Sequence, residues 1–293
     1  MNATPVRVAV FGDVMIDYSV EINSRSARDE KRAVTTSNRS LGGSGANAAA
    51  AVTRICGPAS ADLFATVSDD SWGEWIVDRV RSLDIGVEHV RRIAGAVPHA
   101  VIVHDGSDRS VLVDRGVADD VVVPPAAVLA QYQVVYVSNP VACLTPLVVP
   151  AGSSVVAGVE HQMVDGLDAT ALARVDLVVT NAAGWDSLRY RGIHVPVVVT
   201  DGARGVTVYR PDDTAHHVAA HDVGVRDATG AGDAFAGALC AYLAGGLDLT
   251  IAVGRANAIA SIAVTTTGAQ LGPVDPELVD RRYRQIHESG DTP

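Results

Sequence analysis

Six short aliphatic runs constrain what this chain can fold into more than any other feature of it. They are Val6 to Phe11, the D-L-F-A-T-V segment from Asp62, Val134 to Val137, Val155 to Val159, Leu177 to Thr180 and Val195 to Thr200. Runs that stay apolar without alternating describe strands buried on both faces, and such strands occur in parallel sheets covered by helices. Polar or helical connections separate them; Ser71 to Leu83, for instance, sets Trp72, Trp75, Ile76 and Val80 on one helical face. The alternation predicts βαβ units and a doubly wound, mainly parallel central α/β sheet flanked by helices, in one domain over residues 1–293. Two stretches depart from it. Tyr18 to Ser40 is polar and alternating in places, and His99 to Val113 reads as a hairpin turning at Asp105-Gly106. Together, about 18–40 and 99–115 are expected to form a small separate β-sheet.

The composition narrows the partners. Hydrophobic residues make up 48% of the 293, enough for one large core, but aromatics only 4%, so the core must be built from Val, Ala, Leu and Ile. A formal net charge of −11 argues against nucleic acid and anionic membranes, both of which need a basic face. Cys56, Cys143 and Cys240 are widely spaced and odd in number, which fits reduced thiols better than a disulfide framework. No apolar stretch is long enough to span a bilayer, so a cytoplasmic protein acting on a small molecule is expected. Of 23 basic residues only Lys31 is lysine, and it lies in a charged run. That excludes a P-loop and a protein kinase, each of which places a lysine on the phosphates.

The richest motif is Asp227 to Gly246, D-A-T-G-A-G-D-A-F-A-G-A-L-C-A-Y-L-A-G-G. Gly230, Ala231 and Gly232 run into Asp233 at the start of an Ala-rich helix. A helix start presents unpaired amides and partial positive charge, so a glycine turn there suits an anion. A carboxylate at that point repels the anion unless it takes a proton from a hydroxyl attacking it; the plainer role is a helix cap. Further upstream, Asp13 and Asp17 lie just past the first strand, where open α/β sheets bind ligands, although Asp13 also suits a turn. Gly42 and Gly43 open L-G-G-S-G-A-N-A-A-A-A-V, in which Asn47 offers a donor and an acceptor one turn into a helix.

Taken together, D-x-T-G-A-G-D-x-F and the Leu41 to Val52 segment resemble the two signatures of the ribokinase-like, or phosphofructokinase-B, family of carbohydrate kinases. The resemblance covers nearly the whole chain. It implies a kinase that uses ATP and Mg²⁺, with Asp233 as the base and the amides of Gly230, Ala231 and Gly232 around the transferred phosphoryl group. Asp13, Asp17, Gly42, Gly43 and Asn47 would hold a sugar. V-V-V-T-D-G-A-R-G resembles the family's phosphate element, which assigns Thr200, Gly202 and Gly205 to the nucleotide, with Asn181 beside it and Asn257 and Ser261 near the base; Arg204 in the same loop is either a phosphate contact or, as loop arginines more often are, simply solvated. Asp227 and Thr229 match a monovalent cation site that in some relatives takes K⁺. The small sheet would form a lid that also makes a homodimer contact. A nucleoside instead of a sugar, or a catalytically silent sugar-binding relative, are the alternatives.

Two departures from the family stand out. Ser44 occupies a place where ribokinase has lysine. Where relatives carry N-x-x-E, this chain has Asn181 and then Gly184, with Asp186 the nearest carboxylate. The expectation is a raised Mg²⁺ requirement, or Asp186 acting from the next turn.

Overall fold

A computed structural model describes residues 5–23, 31, 33–105, 109–138, 143–167 and 169–288. The main sheet has nine strands: β1 (Val8–Phe11), β4 (Ala61–Ser68), β5 (Val90–Ile93), β8 (Val134–Val137), β9 (Ser154–Val159), β10 (Leu177–Asn181), β11 (Val197–Thr200), β12 (Val206–Tyr209) and β13 (Ala215–Val218). Their order is β13-β12-β11-β10-β9-β8-β1-β4-β5. From β5 to β11 every pairing is parallel, while β12 and β13 add antiparallel strands at one edge. All six predicted runs are therefore strands of one sheet. β1 shows why alternation was absent: Val8 and Val10 pack into one core cluster, Ala9 and Phe11 into a second on the opposite face, and all four are fully buried.

Four strands form a separate sheet, β2 (Met15–Glu21), β3 (Thr36–Gly42), β6 (His99–His104) and β7 (Arg109–Asp114), in the order β3-β2-β6-β7. The two irregular stretches thus pair with each other, β2 running parallel to β6. β2 starts at Met15 and β3 ends at Gly42, both outside the 18–40 boundary read from sequence. The pairing Met15 to Gly42 carries this sheet down to the ends of the main one. Residue 106, half of the expected Asp105-Gly106 turn, lies outside the described residues.

Helices α1 (Ser44–Cys56), α2 (Ser71–Arg81), α3 (Ala126–Leu129), α4 (Ala169–Leu172), α5 (Ala182–Leu188), α6 (Ala231–Ala244), α7 (Leu249–Ala263) and α8 (Pro276–Glu288), with short 3-10 helices at Gly116–Asp119, His161–Gly166 and Gly202–Arg204, complete the described elements. α2 buries Ile76 and Val80 as its periodicity required, and the Asp70 side chain caps it by accepting from the amides of Trp72 and Gly73. Small residues let α1 and α6 come close. A methyl group at Gly237 would lie 2.2 Å from the Ala48 carbonyl oxygen. That contact fixes the relation between the two signature motifs. Among the described residues no helix is long and apolar enough to cross a membrane, and the three cysteines are free.

Candidate active site

The carboxyl ends of the parallel strands converge, as expected for an open α/β sheet. Ser138 follows β8, Glu160 follows β9, Asn181 ends β10 and Thr200 ends β11; all four line one small cavity of about 110 Å³, together with Gly232 and Asp233. A larger cavity of about 560 Å³ is lined by Thr200, Gly202, Gly205, Ala231, Gly232, Asn257 and Ser261, among others. Thr200 and Gly232 belong to both. The glycine turn therefore stands where the two cavities meet.

Gly230 precedes α6 in the left-handed conformation, φ +72°, and its carbonyl accepts from the Ala234 amide at 2.8 Å. A β-carbon there would sit 2.0 Å from the Ala269 carbonyl oxygen, so both the turn and the close approach require glycine. Asp233 is not the cap. It lies in the first turn of α6, and its Oδ2 accepts a 2.9 Å hydrogen bond from Asn47 Nδ2, across 186 residues of sequence. The close packing at Gly237, one turn along α6, brings the two side chains into reach. Amides in a first helical turn have no intrahelical acceptor, and those of Gly232 and Asp233 belong to residues lining the small cavity.

Burial pushes the Asp233 carboxyl up to about 7; the Asn47 hydrogen bond opposes the shift, and the charges of Glu160, Asp17 and Asp13 add to it. Asp17, on β2, is buried and likewise pushed up to about 6 by desolvation. A side chain at Gly42 would meet the Asp17 carboxylate within 2.3 Å, so the space that glycine leaves is filled by Asp17. Gly43 precedes α1 with φ +94°. Asp13 is held differently, its two oxygens accepting from Arg115 Nη1 and Nη2 at 2.9 and 2.8 Å; like Asp17, Gly42, Gly43 and Asn47, it lines neither cavity.

On the other side, Asn257 donates to the Ala219 carbonyl at 2.8 Å, and Ser261 receives a bond from Arg282. Both therefore enter the cavity wall already oriented. His221 lines the same cavity, and burial lowers its pKa, favouring the neutral ring. Arg204 is exposed and spans Asp201 with bonds of 2.6 and 2.7 Å. Asn181 Oδ1 caps α5 by accepting from the Gly184 amide at 2.9 Å. Asp227 accepts from the amides of Thr229 and Gly268, both at 2.9 Å, and so pins the approach to the glycine turn.

Among the described residues no three His, Cys, Asp or Glu side chains cluster to hold a metal ion. The small cavity instead offers isolated oxygen donors, Glu160, Asn181 and the hydroxyls of Ser44, Ser138 and Thr200. That set fits Mg²⁺ arriving with phosphates and keeping most of its water. Ser44 donates to Ser138 at 3.1 Å. Reading the motifs alone missed Ser138, Glu160 and Arg115. The first two sit just past predicted strands, a position that itself signals ligand contact; Arg115 meets Asp13 across 102 residues and carries no local signal.

A curated relative, the bifunctional protein HldE of Rhodopseudomonas palustris, is 44% identical over 72 residues, 25% of this chain and 15% of that protein. This chain thus spans only a small part of the curated relatives it matches. Solved structures match throughout. Ribokinase from Arabidopsis thaliana, complexed with ribose and ATP, superposes with a TM-score of 0.80 at 19% identity, covering 95% of this chain and 99% of that one. The Methanocaldococcus jannaschii nucleoside kinase, an archaeal member of the ribokinase family, gives 0.78 at 17% identity, covering 95% and 98%. These likenesses establish the ribokinase-like fold. With the family model for pfkB carbohydrate kinases matching residues 6–276, both signatures and the converging strand ends included, the chain belongs to the pfkB family of carbohydrate kinases.

Proposed function

We propose that this protein transfers the γ-phosphoryl group of ATP to the primary hydroxymethyl group of a sugar, with Asp233 as general base. The observation that carries the reading is the setting of Asp233: a carboxyl in the first turn of α6, lining the small cavity beside the glycine turn, held by Asn47 and pushed up to about 7 by burial. A base is most effective when its pKa lies near the working pH. Asn47 holds its Oδ2 in place, leaving the carboxylate to receive the acceptor's proton. Asp17, buried at the foot of the small sheet, accepts from the acceptor's other hydroxyls. The amides of Gly232 and Asp233 face charge developing on the transferred group. The larger cavity takes the nucleoside part of ATP, and Thr200, Gly202 and Gly205 lie along its phosphates. Mg²⁺, when bound, neutralises the phosphate oxygens. The Arabidopsis relative was solved with ribose and ATP, which supports the assignment; the archaeal nucleoside kinase keeps a nucleoside acceptor as the second reading.

The test is phosphotransfer from ATP to a panel of pentoses, hexoses and nucleosides, paired with thermal shift in the presence of a non-hydrolysable ATP analogue. One sugar should raise Tm and accept phosphate. Transfer to nucleosides alone would select the second reading, and no shift with any nucleotide would overturn both.

Asp17→Ala should raise the acceptor KM and lower kcat about tenfold or more while nucleotide affinity holds, because contacts to the acceptor also orient its reacting hydroxyl. A defect confined to ATP binding would remove Asp17 from the acceptor site. The proposal extends to K⁺ at Asp227 and Thr229, beside the anion turn. Rates should be severalfold higher in K⁺ than in Na⁺ or tetramethylammonium at equal ionic strength, and equal rates in all three would leave Asp227 a turn-former only.

A further inference from the structure

We propose that Glu160 is the carboxylate that holds the nucleotide-borne Mg²⁺ in this chain, in place of the glutamate missing from the N-x-x-E position. The inference rests on the kinase reading above and deepens it. Three observations carry it.

A side chain at position 184 would have to displace the Thr180 hydroxyl. A β-carbon built there lies 2.0 Å from Thr180 Oγ1 and 3.2 Å from the Val159 carbonyl oxygen. Thr180 Oγ1 itself donates to that carbonyl at 2.6 Å, tying β10 to β9. The space next to position 184 is occupied by the Thr180 hydroxyl bonded to the Val159 carbonyl, so the packing here is adapted to glycine. Asp186 does not replace it: its carboxylate is 69% exposed, pairs with Arg189 at 3.4 Å, and lines neither cavity.

Glu160, by contrast, lines the small cavity. It follows the last residue of β9 in extended conformation, φ −94° and ψ 158°, and lines the small cavity with Asn181 and Thr200 from the two strand ends beyond it. Gly232 and Asp233 line the same cavity, so the carboxylate shares it with the amides that receive phosphate. An exposed carboxylate in a cleft meant for polyphosphate would by itself weaken binding, because like charges repel at such range. With a divalent cation between carboxylate and phosphate the sign of the interaction reverses. Mg²⁺ needs no more protein than this, since it keeps several waters and takes one or two carboxylates together with the phosphates. The neighbour of Glu160 in the structure, the Gln162 amide, donates to it and orients it without neutralising its charge.

The experiment measures Mn²⁺ binding by electron paramagnetic resonance at saturating non-hydrolysable ATP analogue, with the analogue's own affinity measured in chelator. Glu160→Gln should weaken Mn²⁺ about ten- to a hundredfold in the ternary complex, the loss typical of a carboxylate that supports a metal site. Its affinity for metal-free analogue should be unchanged or tighter. Glu160→Asp should retain part of the Mn²⁺ affinity, and Asp186→Ala all of it. Because Glu160 is exposed, the variants should keep the wild-type Tm. Wild-type Mn²⁺ binding in Glu160→Gln, or a loss that appears in Asp186→Ala instead, overturns the proposal and leaves the kinase reading intact. A wild-type protein that binds no analogue with or without Mn²⁺ overturns the kinase reading, and this proposal with it.

Discussion

Asp233→Asn should lower kcat by about two to four orders of magnitude, the range over which a positioned base contributes to proton transfer, while leaving the fold intact. Asparagine keeps the shape and can still meet Asn47, but it cannot accept the acceptor's proton. The same substitution should raise stability. A carboxyl whose folded pKa, about 7, lies above its unfolded value near 3.8 binds more protons folded than unfolded between those limits. Its contribution is therefore favourable at acid pH and is lost as pH rises through 7, where the desolvated, partly buried group must ionise. Removing the charge should make Asp233→Asn more resistant to heat than wild type at pH 8, with the difference shrinking toward pH 5. Kinetics and a Tm series against pH check the two halves. Near-normal turnover would remove Asp233 from the chemistry, and a lower Tm at pH 8 would show that the ionised carboxylate is better solvated than its burial suggests.

The main sheet was legible because its strands are buried on both faces, and that leaves an unbroken Val-rich signature in one dimension. β12 and β13 were not read. V-T-V-Y alternates as an edge strand does, with Val206 and Val208 buried and Thr207 and Tyr209 less so, but four residues are too few to separate from loop. β2 starts three residues before Tyr18 because the polar alternation is visible only from Tyr18 onward, whereas Met15 and Ile16 are buried; the pairing of Met15 with Gly42 shows that the chain has already changed sheets. The glycine turn was legible down to its residues, since left-handed Gly230 and the helix behind it are local. What Asp233 touches was not. Its partner lies on α1, and the two meet because Gly237 and Ala48 let the helices approach, a fact of packing that neither motif contains. The same holds for Gly42, whose missing side chain makes room for Asp17, and for Gly184, whose missing side chain makes room for Thr180.

Asn47 allows the proposed role of Asp233 as base to be tested separately from the proposed acceptor site. Its Nδ2 donates to Asp233, while its Oδ1 is buried without a partner among the described residues, so the contact the structure gives it is with Asp233. A hydrogen bond to a charged group contributes about 1.5 to 3 kcal/mol, and about 1.4 kcal/mol corresponds to one unit of pKa. Asn47→Leu, similar in size but without the donor, should therefore raise the Asp233 pKa by about one to two units above its value near 7. Since only the ionised carboxylate accepts a proton, the acid limb of kcat against pH should move up by the same amount. The variant should be about five- to fiftyfold slower than wild type at pH 7, where the wild-type carboxylate is itself only half ionised, and regain most of that loss by pH 9, with nucleotide KM unchanged. Asn47→Asp should shift the limb further, because a second carboxylate at 2.9 Å opposes ionisation. The alternative is that Asn47 serves chiefly as an acceptor ligand through Oδ1. In that case Asn47→Leu would raise the acceptor KM equally at every pH and leave the acid limb where it was, and that pair of results would dissolve the link between the two motifs.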